Sequence, residues 1–133
     1  MDEAVRAALT RGEVIDITTT GRQTGEARRI EIVYHVIDDR LFISGMPRAG
    51  ARRAWIANLD ADPRLTFHLK GRVVADLPAH ARIVDDPAER RAVLTQVAAN
   101  WNRTDLDEMV AHSPLIEVTI DEDVSDASDA ADA

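Results

Sequence analysis

Between Thr18 and Leu59 the chain gathers most of the side chains that could do chemistry. The run TTTGRQTGEARRIEI sets Arg22, Gln23, Thr24 and Arg28 in and beside a turn bracketed by Gly21 and Gly25. Its backbone N–H groups, the Thr24 hydroxyl and two guanidinium groups together suit a phosphate or carboxylate, because arginine gives bidentate contacts and glycine permits close backbone approach. A second run, SGMPRAGARRAWIANL, carries Ser44, Gly45, Met46, Arg48, Arg52, Arg53 and Trp55. It reads as a strand end, a basic loop and a helix start, the arrangement in which a helix N-terminus receives an anion. Trp55 suits either a neighbour for a flat ring or an anchor that packs the short helix.

Charge is distributed unevenly. The chain has a net charge of −8, yet Gly21 to Arg72 holds ten basic and six acidic residues. A cationic stretch in an acidic protein favours a small anionic ligand over a nucleic acid, whose long polyanion the overall field repels. There is no cysteine, which excludes disulfides, thiolate metal sites and a cysteine nucleophile. His35, His68, His80 and His112 are scattered without metal-ligand spacing, so no metal site is expected, and the strand histidines read as surface or core-edge residues. Asp38-Asp39 and Asp85-Asp86 read as turn residues. Tyr34, the sole tyrosine, is a candidate substrate contact. No catalytic residue is assigned. The polar N-terminus and the lack of an apolar run of ~20 residues lead to the expectation of a cytoplasmic protein without membrane insertion.

These residues need a scaffold, and the apolar pattern supplies one. A short helix is expected over residues 2–10, ended by Gly12, and a strand over Val14–Thr20. Residues 28–44 alternate as a hairpin turning at Asp38-Asp39, with Ile30, Ile32, Tyr34 and Val36 on one face. Helical turns follow at 52–59, then a strand at 65–69, a turn at Gly71 and an interrupted strand at 73–84, with Pro78 at an edge or bulge. Helices at about 87–101 and 105–112 precede a strand at 115–120. The expected class is mainly β: a β-barrel of six to seven antiparallel strands plus two to four short helices. Residues 1–120 form the domain, and 121–133, rich in Asp, Ser and Ala, read as an acidic disordered tail.

Two motifs at this separation carry a resemblance. TTTGR-x-[ST]G-x-x-R at Thr18–Arg28 and W-x-x-N-L-x-A-x-P at Trp55–Pro63 resemble the deazaflavin-dependent nitroreductase and quinone reductase family, within the FMN-binding split β-barrel superfamily. The likeness spans roughly residues 13–120. It implies a split barrel, coenzyme F420 as cofactor (FMN in some relatives), homodimers, and hydride transfer to a small organic acceptor such as a quinone or nitro compound. It also implies that Arg22, Gln23 and Arg28 meet the cofactor's phosphate and carboxylates. Ser44 and the loop Gly45–Arg53 would run along its ring and phosphate, with Trp55 beside them. The alternatives are an FMN-dependent oxidoreductase and a non-catalytic flavin- or deazaflavin-binding protein. The chain departs from the family pattern at Gln23, where a cation is usual, at Glu31, where proline is common, and across Leu106–Leu115, which lacks the tyrosines that shape the substrate site in family members.

Overall fold

The computed structural model describes residues 2–48 and 53–121. Strand β1 (Val14–Thr20) alternates in burial, with Ile15, Ile17 and Thr19 turned inward. It pairs antiparallel with β2 (Ala27–Ile37) on one side. The β2–β3 hairpin turns at Asp38 and Asp39, both at positive φ (53° and 61°), the geometry that suits the right-handed twist of the flanking strands. Strand β3 (Arg40–Ser44) leads through the basic loop to α2 (Ala54–Ala61), then β4 (Arg64–Lys70) and β5 (Val74–Ile83). After α3 (Pro87–Asn100) and α4 (Leu106–His112), β6 (Leu115–Ile120) completes the sheet. Order around the sheet is β1-β2-β3-β6-β5-β4, closed by β4 against β1, so the chain is a six-stranded antiparallel barrel with four helices among the described residues, the first being α1 (Glu3–Leu9).

Two apolar layers result. Inside the barrel lie Ile15, Ile17, Tyr34, Ile43, Leu65, Phe67, Leu69, Ile116 and Val118, closed off by Ala8 of α1 and by Ile56 and Leu59 of α2. Outside it, Val93, Leu94, Val97 and Ala98 of α3 and Met109 of α4 pack with Phe42, Val84 and Leu115. Strands β3 and β6 are buried on both faces where this second layer covers them, so their alternation fades. Asp86 caps α3 by accepting from the Glu89 N–H at 2.9 Å, and Pro87 opens its first turn. Arg90 ends α4: its guanidinium donates to the carbonyls of Val84, Met109, Val110 and Ser113, supplying partners that a helix C-terminus leaves unmet.

Several expectations are adjusted. The helix expected at 52–59 runs Ala54–Ala61, and the strand at 73–84 runs uninterrupted as Val74–Ile83. Pro78 sits where the β5–β6 ladder stops: pairing with β6 begins at Ala79, so its missing N–H leaves no ladder bond broken. Gly12 does not cap α1, whose C-cap is Thr10. Its φ of +68° and a Cβ position 3.1 Å from the Tyr34 carbonyl explain the glycine instead. His35 is not a surface or core-edge residue. It is 3% exposed beneath α3, edge-on to Trp101, and receives a hydrogen bond at Nδ1 from the Asn100 amide at 3.0 Å. Burial pushes its pKa down, so the ring is neutral. His68 is likewise buried. Of the expected tail, Asp121 is tied to the barrel through the Pro78 carbonyl and His80, and residues 122–133 lie outside the described residues.

On the outer wall, Glu117 accepts from Arg40 and Arg82, and Glu89 of α3 joins both arginines, clamping α3 to β3, β5 and β6. The hydrogen bond from Arg40, with that from Arg82, lowers the Glu117 pKa to about 2 from its ordinary 4.5. A carboxyl with a lowered folded-state pKa stabilises the fold fully above its unfolded pKa and loses that contribution as the pH falls through the folded value. Native protein should therefore lose stability between about pH 4.5 and 2, and Glu117→Gln should flatten that part of the profile, as urea unfolding at stepped pH will measure.

Candidate cofactor site

The site is built at the open end of β1. The turn after Thr20 is fixed by Gly21 N donating to the Glu26 carbonyl and Gly25 N to the Gly21 carbonyl, both at 2.8 Å, with Gly25 at φ +73°. Thr24 Oγ1 accepts from the Glu26 N–H at 3.2 Å. Gly21 is needed for space: a Cβ there would come within 3.0 Å of Thr24 Oγ1 and 3.2 Å of the Glu26 carbonyl oxygen. The turn thus presents Arg22, Gln23, Thr24 and Arg28, all exposed, toward α2. Opposite them stand Trp55 and Asn58, one helical turn apart on one face of α2. A cavity of about 380 Å³ lies between, lined also by Thr19, Gly21, Ile30 and Ala54.

Asn58 holds this cavity in shape. It is 5% exposed, and its Oδ1 accepts from both the backbone N–H and Nη1 of Arg22, each at 3.1 Å. Its Nδ2 donates to Thr19 Oγ1 at 3.3 Å. One amide therefore joins helix, strand and turn, and aims the Arg22 guanidinium without neutralising it. Arg28 faces only Glu26, at 3.7 Å. Arg22, with no ion-paired carboxylate among the described residues, and Arg28, paired only with the exposed Glu26, join a hydroxyl and the glycine-bracketed backbone in a donor set for an anionic group. Among the described residues, no three His, Asp or Glu side chains are grouped to hold a metal.

The other expected residues lie around the N-terminus of α2. Ser44 is 2% exposed and donates to the Pro114 carbonyl at 2.7 Å, so its hydroxyl positions β3 against the start of β6. A Cβ on Gly45 would crowd Pro114 Cγ at 3.1 Å and the Arg53 guanidinium at 3.3 Å. Arg53 donates to the Met46 carbonyl and lines a separate cavity of about 290 Å³ with Ile56, Asp85, His112 and Pro114. Burial, then the charge of Arg48, pushes its pKa down. Met46 is exposed, and its sulfur receives a contact from Arg103 at 3.1 Å. Arg52 lies outside the described residues.

Tyr34 does not join the site. It is 1% exposed inside the barrel, its OH donates to the Ala8 carbonyl at 3.0 Å, and its ring stands edge-on to Phe67. A tyrosine on the inward face of a closed barrel is core. Asn58 and Thr19 were not anticipated. The Trp55–Asn58 spacing was the available signal, since residues three apart on a helix share a face.

The model of the F420H2-dependent quinone reductase family matches residues 2–125, nearly all of the described chain. The chain belongs to this family. It is an F420-dependent oxidoreductase. The fold also matches solved structures. Rv2991, a conserved hypothetical protein from Mycobacterium tuberculosis, superposes with a TM-score of 0.71 at 22% identity, covering 91% of this chain and 81% of that one. A protein described as an F420 reductase gives 0.69 at 16% identity over 90% and 95% of the two chains. A third, described as a domain-swapped dimer, gives 0.60 at 16% over 88% and 95%. No curated protein matches the chain.

The residues present fit the family's cofactor, whose tail carries a phosphate and carboxylates: Arg22, Arg28, Gln23 and Thr24 line the cavity with donors, beside Trp55. Asn58→Ala should cost about tenfold in F420 affinity, the equivalent of one hydrogen bond of about 1.4 kcal/mol, by releasing Arg22 from its aimed position. Fluorescence titration of F420 measures the loss, and a variant that binds like the parent would show that the amide only supports the fold.

Proposed function

We propose that Arg22, Gln23, Thr24 and Arg28 hold the phosphate and carboxylate tail of coenzyme F420, and that the reduced enzyme passes hydride to a small quinone. The observation that carries this reading is the convergence of the glycine-bracketed turn and the Trp55–Asn58 face of α2 on one cationic cavity. When bound, reduced F420 supplies the hydride. The protein's part is to bind, orient and exclude water. Arg22 and Arg28 meet the anionic tail, and Trp55 covers it. Met46, Arg48 and Arg53 would extend this donor set along the cofactor, while Ser44, buried against Pro114, positions β3. The Arg48 and Arg53 charges suit further anionic oxygens there, since no carboxylate lies within ion-pairing distance of either among the described residues.

Leu106 to Leu115 contains no tyrosine and carries Asp107, Glu108 and His112 among its apolar residues, so the acceptor is assigned from the family and not from this stretch. No helix among the described residues is long and apolar enough to cross a membrane. The reading places the enzyme in the cytoplasm. It also includes homodimerisation, supported by the domain-swapped neighbour and by exposed Val14 and Val74, which the strand register sets at the same end of the barrel.

Arg28→Ala should weaken F420 binding about tenfold, because a charge-assisted contact contributes about 1.5–3 kcal/mol before solvent screening reduces it. Arg40→Ala, whose guanidinium is engaged with Glu117 and Glu89 on the outer wall, should bind F420 like the parent. Equal binding by both variants would remove the turn from the site, and a parent that binds FMN in preference to F420 would overturn the cofactor assignment. Steady-state oxidation of reduced F420 by a water-soluble quinone tests the acceptor. Sedimentation at micromolar concentration with cofactor present tests the dimer.

A further inference from the structure

Three side chains on the outer face of the barrel form a chain of short hydrogen bonds that the cofactor cavity does not use. Thr18 Oγ1 of β1 lies 2.6 Å from His68 Nε2 of β4, and His68 Nδ1 lies 2.7 Å from Asp76 Oδ1 of β5. The strands are adjacent, and the register sets His68 directly opposite Asp76. The hydrogen bond from His68 holds the Asp76 carboxyl below its usual range, so Asp76 is ionised at neutral pH. A carboxylate only accepts, so the proton between them sits on Nδ1. In the neutral imidazole Nε2 is then the acceptor, and the Thr18 hydroxyl donates to it. His68 is 7% exposed, Thr18 is half-buried and the Asp76 side chain is open to solvent. A hydroxyl, an imidazole oriented to take its proton, and a carboxylate fixing that imidazole make up a nucleophile, base and orienting group.

A cation completes the cluster. Arg29 of β2 is the cross-strand partner of Thr18 in the β1–β2 register. Its Nε donates to Asp16 Oδ2 at 2.9 Å, its side chain is 54% exposed, and its charge is felt at Asp76. A guanidinium at this position can stabilise negative charge developing on an oxygen beside Thr18. Room for a small molecule exists: Thr18 lines a surface depression of about 420 Å³ together with Thr20, Arg64, Thr66 and Pro78.

We propose that Thr18 is the nucleophile of a second reactive centre, which accepts acyl groups from small carboxylic esters. His68 is its general base, Asp76 the positioning residue for His68, and Arg29 the stabiliser of the oxyanion. In the step, Thr18 Oγ1 forms a bond to the ester carbonyl carbon while its proton passes to His68 Nε2. The carbon–oxygen bond to the alcohol or phenol then breaks, and the leaving oxygen takes the proton from His68. Thr18 is left acylated and the imidazole neutral. No electrons are exchanged with the coenzyme, so the step is independent of the hydride reaction.

Phenyl acetate is the probe, incubated with the full chain in its coenzyme-bound form. Intact mass and peptide mapping should show one acetyl group on Thr18. Thr18→Ser keeps the hydroxyl and should be labelled, whereas Thr18→Val keeps the β-branched shape and should gain no acetyl group in this strand. His68→Gln should slow labelling of Thr18 about 100-fold, the range set by loss of a positioned general base. Should that variant lose its fold, judged by circular dichroism, Asp76→Asn makes the same test from the exposed end of the chain and should also slow the labelling. Acetylation confined to Lys70 or other amines, or Thr18 labelling at the parent rate in the folded His68→Gln or Asp76→Asn variant, would overturn the proposal.

Discussion

Strand β1 is hydrogen-bonded along both edges, to β2 on one side and β4 on the other, and that double pairing closes the sheet. Closure fixes the two faces of β1 to opposite tasks. Ile15 and Ile17 fill the barrel, while Asp16 and Thr18 face outward to Lys70, Arg29 and His68. Thr19, turned inward near the rim, receives the Asn58 amide, and the strand then opens into the Gly21–Gly25 turn. A one-residue slip in this register would exchange these faces and separate Arg22 from α2. The cavity is therefore a by-product of barrel geometry, held at its rim by a single buried amide.

Much of this was legible because the informative features are local. The turn at Asp38-Asp39, the inward set Ile30, Ile32, Tyr34 and Val36, and the β6 strand follow from period-two alternation and turn chemistry. The GRQTG turn and the basic loop were readable as anion-binding elements because arginine and glycine state their chemistry by type. What the chain does not announce is which distant residues meet. Asn58 stands in the sequence only as part of the Trp55–Pro63 motif, and its role appears once α2 is set over Thr19 and Arg22. Tyr34 looked like a substrate contact because nothing local distinguishes an inward tyrosine near a rim from one bonded deep to Ala8. His35 was misjudged for a related reason: α3 covers an outward face that alternation alone assigns to solvent.

The ion pairs divide by consequence. Arg64 with Asp62, and Arg91 with Asp107, are exposed and contribute little to stability. The Arg40–Glu117–Arg82–Glu89 group differs because it links one helix to three strands and so resists separation of the outer apolar layer. Its carboxylates are paired with Arg40 and Arg82, whereas Arg22, Arg48 and Arg53 have no ion-paired carboxylate among the described residues.

Arg90 moors the far end of the segment from Trp101 to Ser113 to α3. Its guanidinium gathers the Met109, Val110 and Ser113 carbonyls, so the end of α4 is anchored from a neighbouring helix as well as by the Ser113 N–H bonding to the Met109 carbonyl. The start is secured by the backbone of Arg103 bonding to the Ala98 carbonyl. Between those moorings the buried Met109 and the edge-on Trp101 pack the span onto the outer apolar layer. Lysine at position 90 could not substitute, lacking the planar fork that reaches several acceptors at once. A change of sequence between those two moorings therefore leaves the way the segment hangs from α3 intact as long as Arg90 stays.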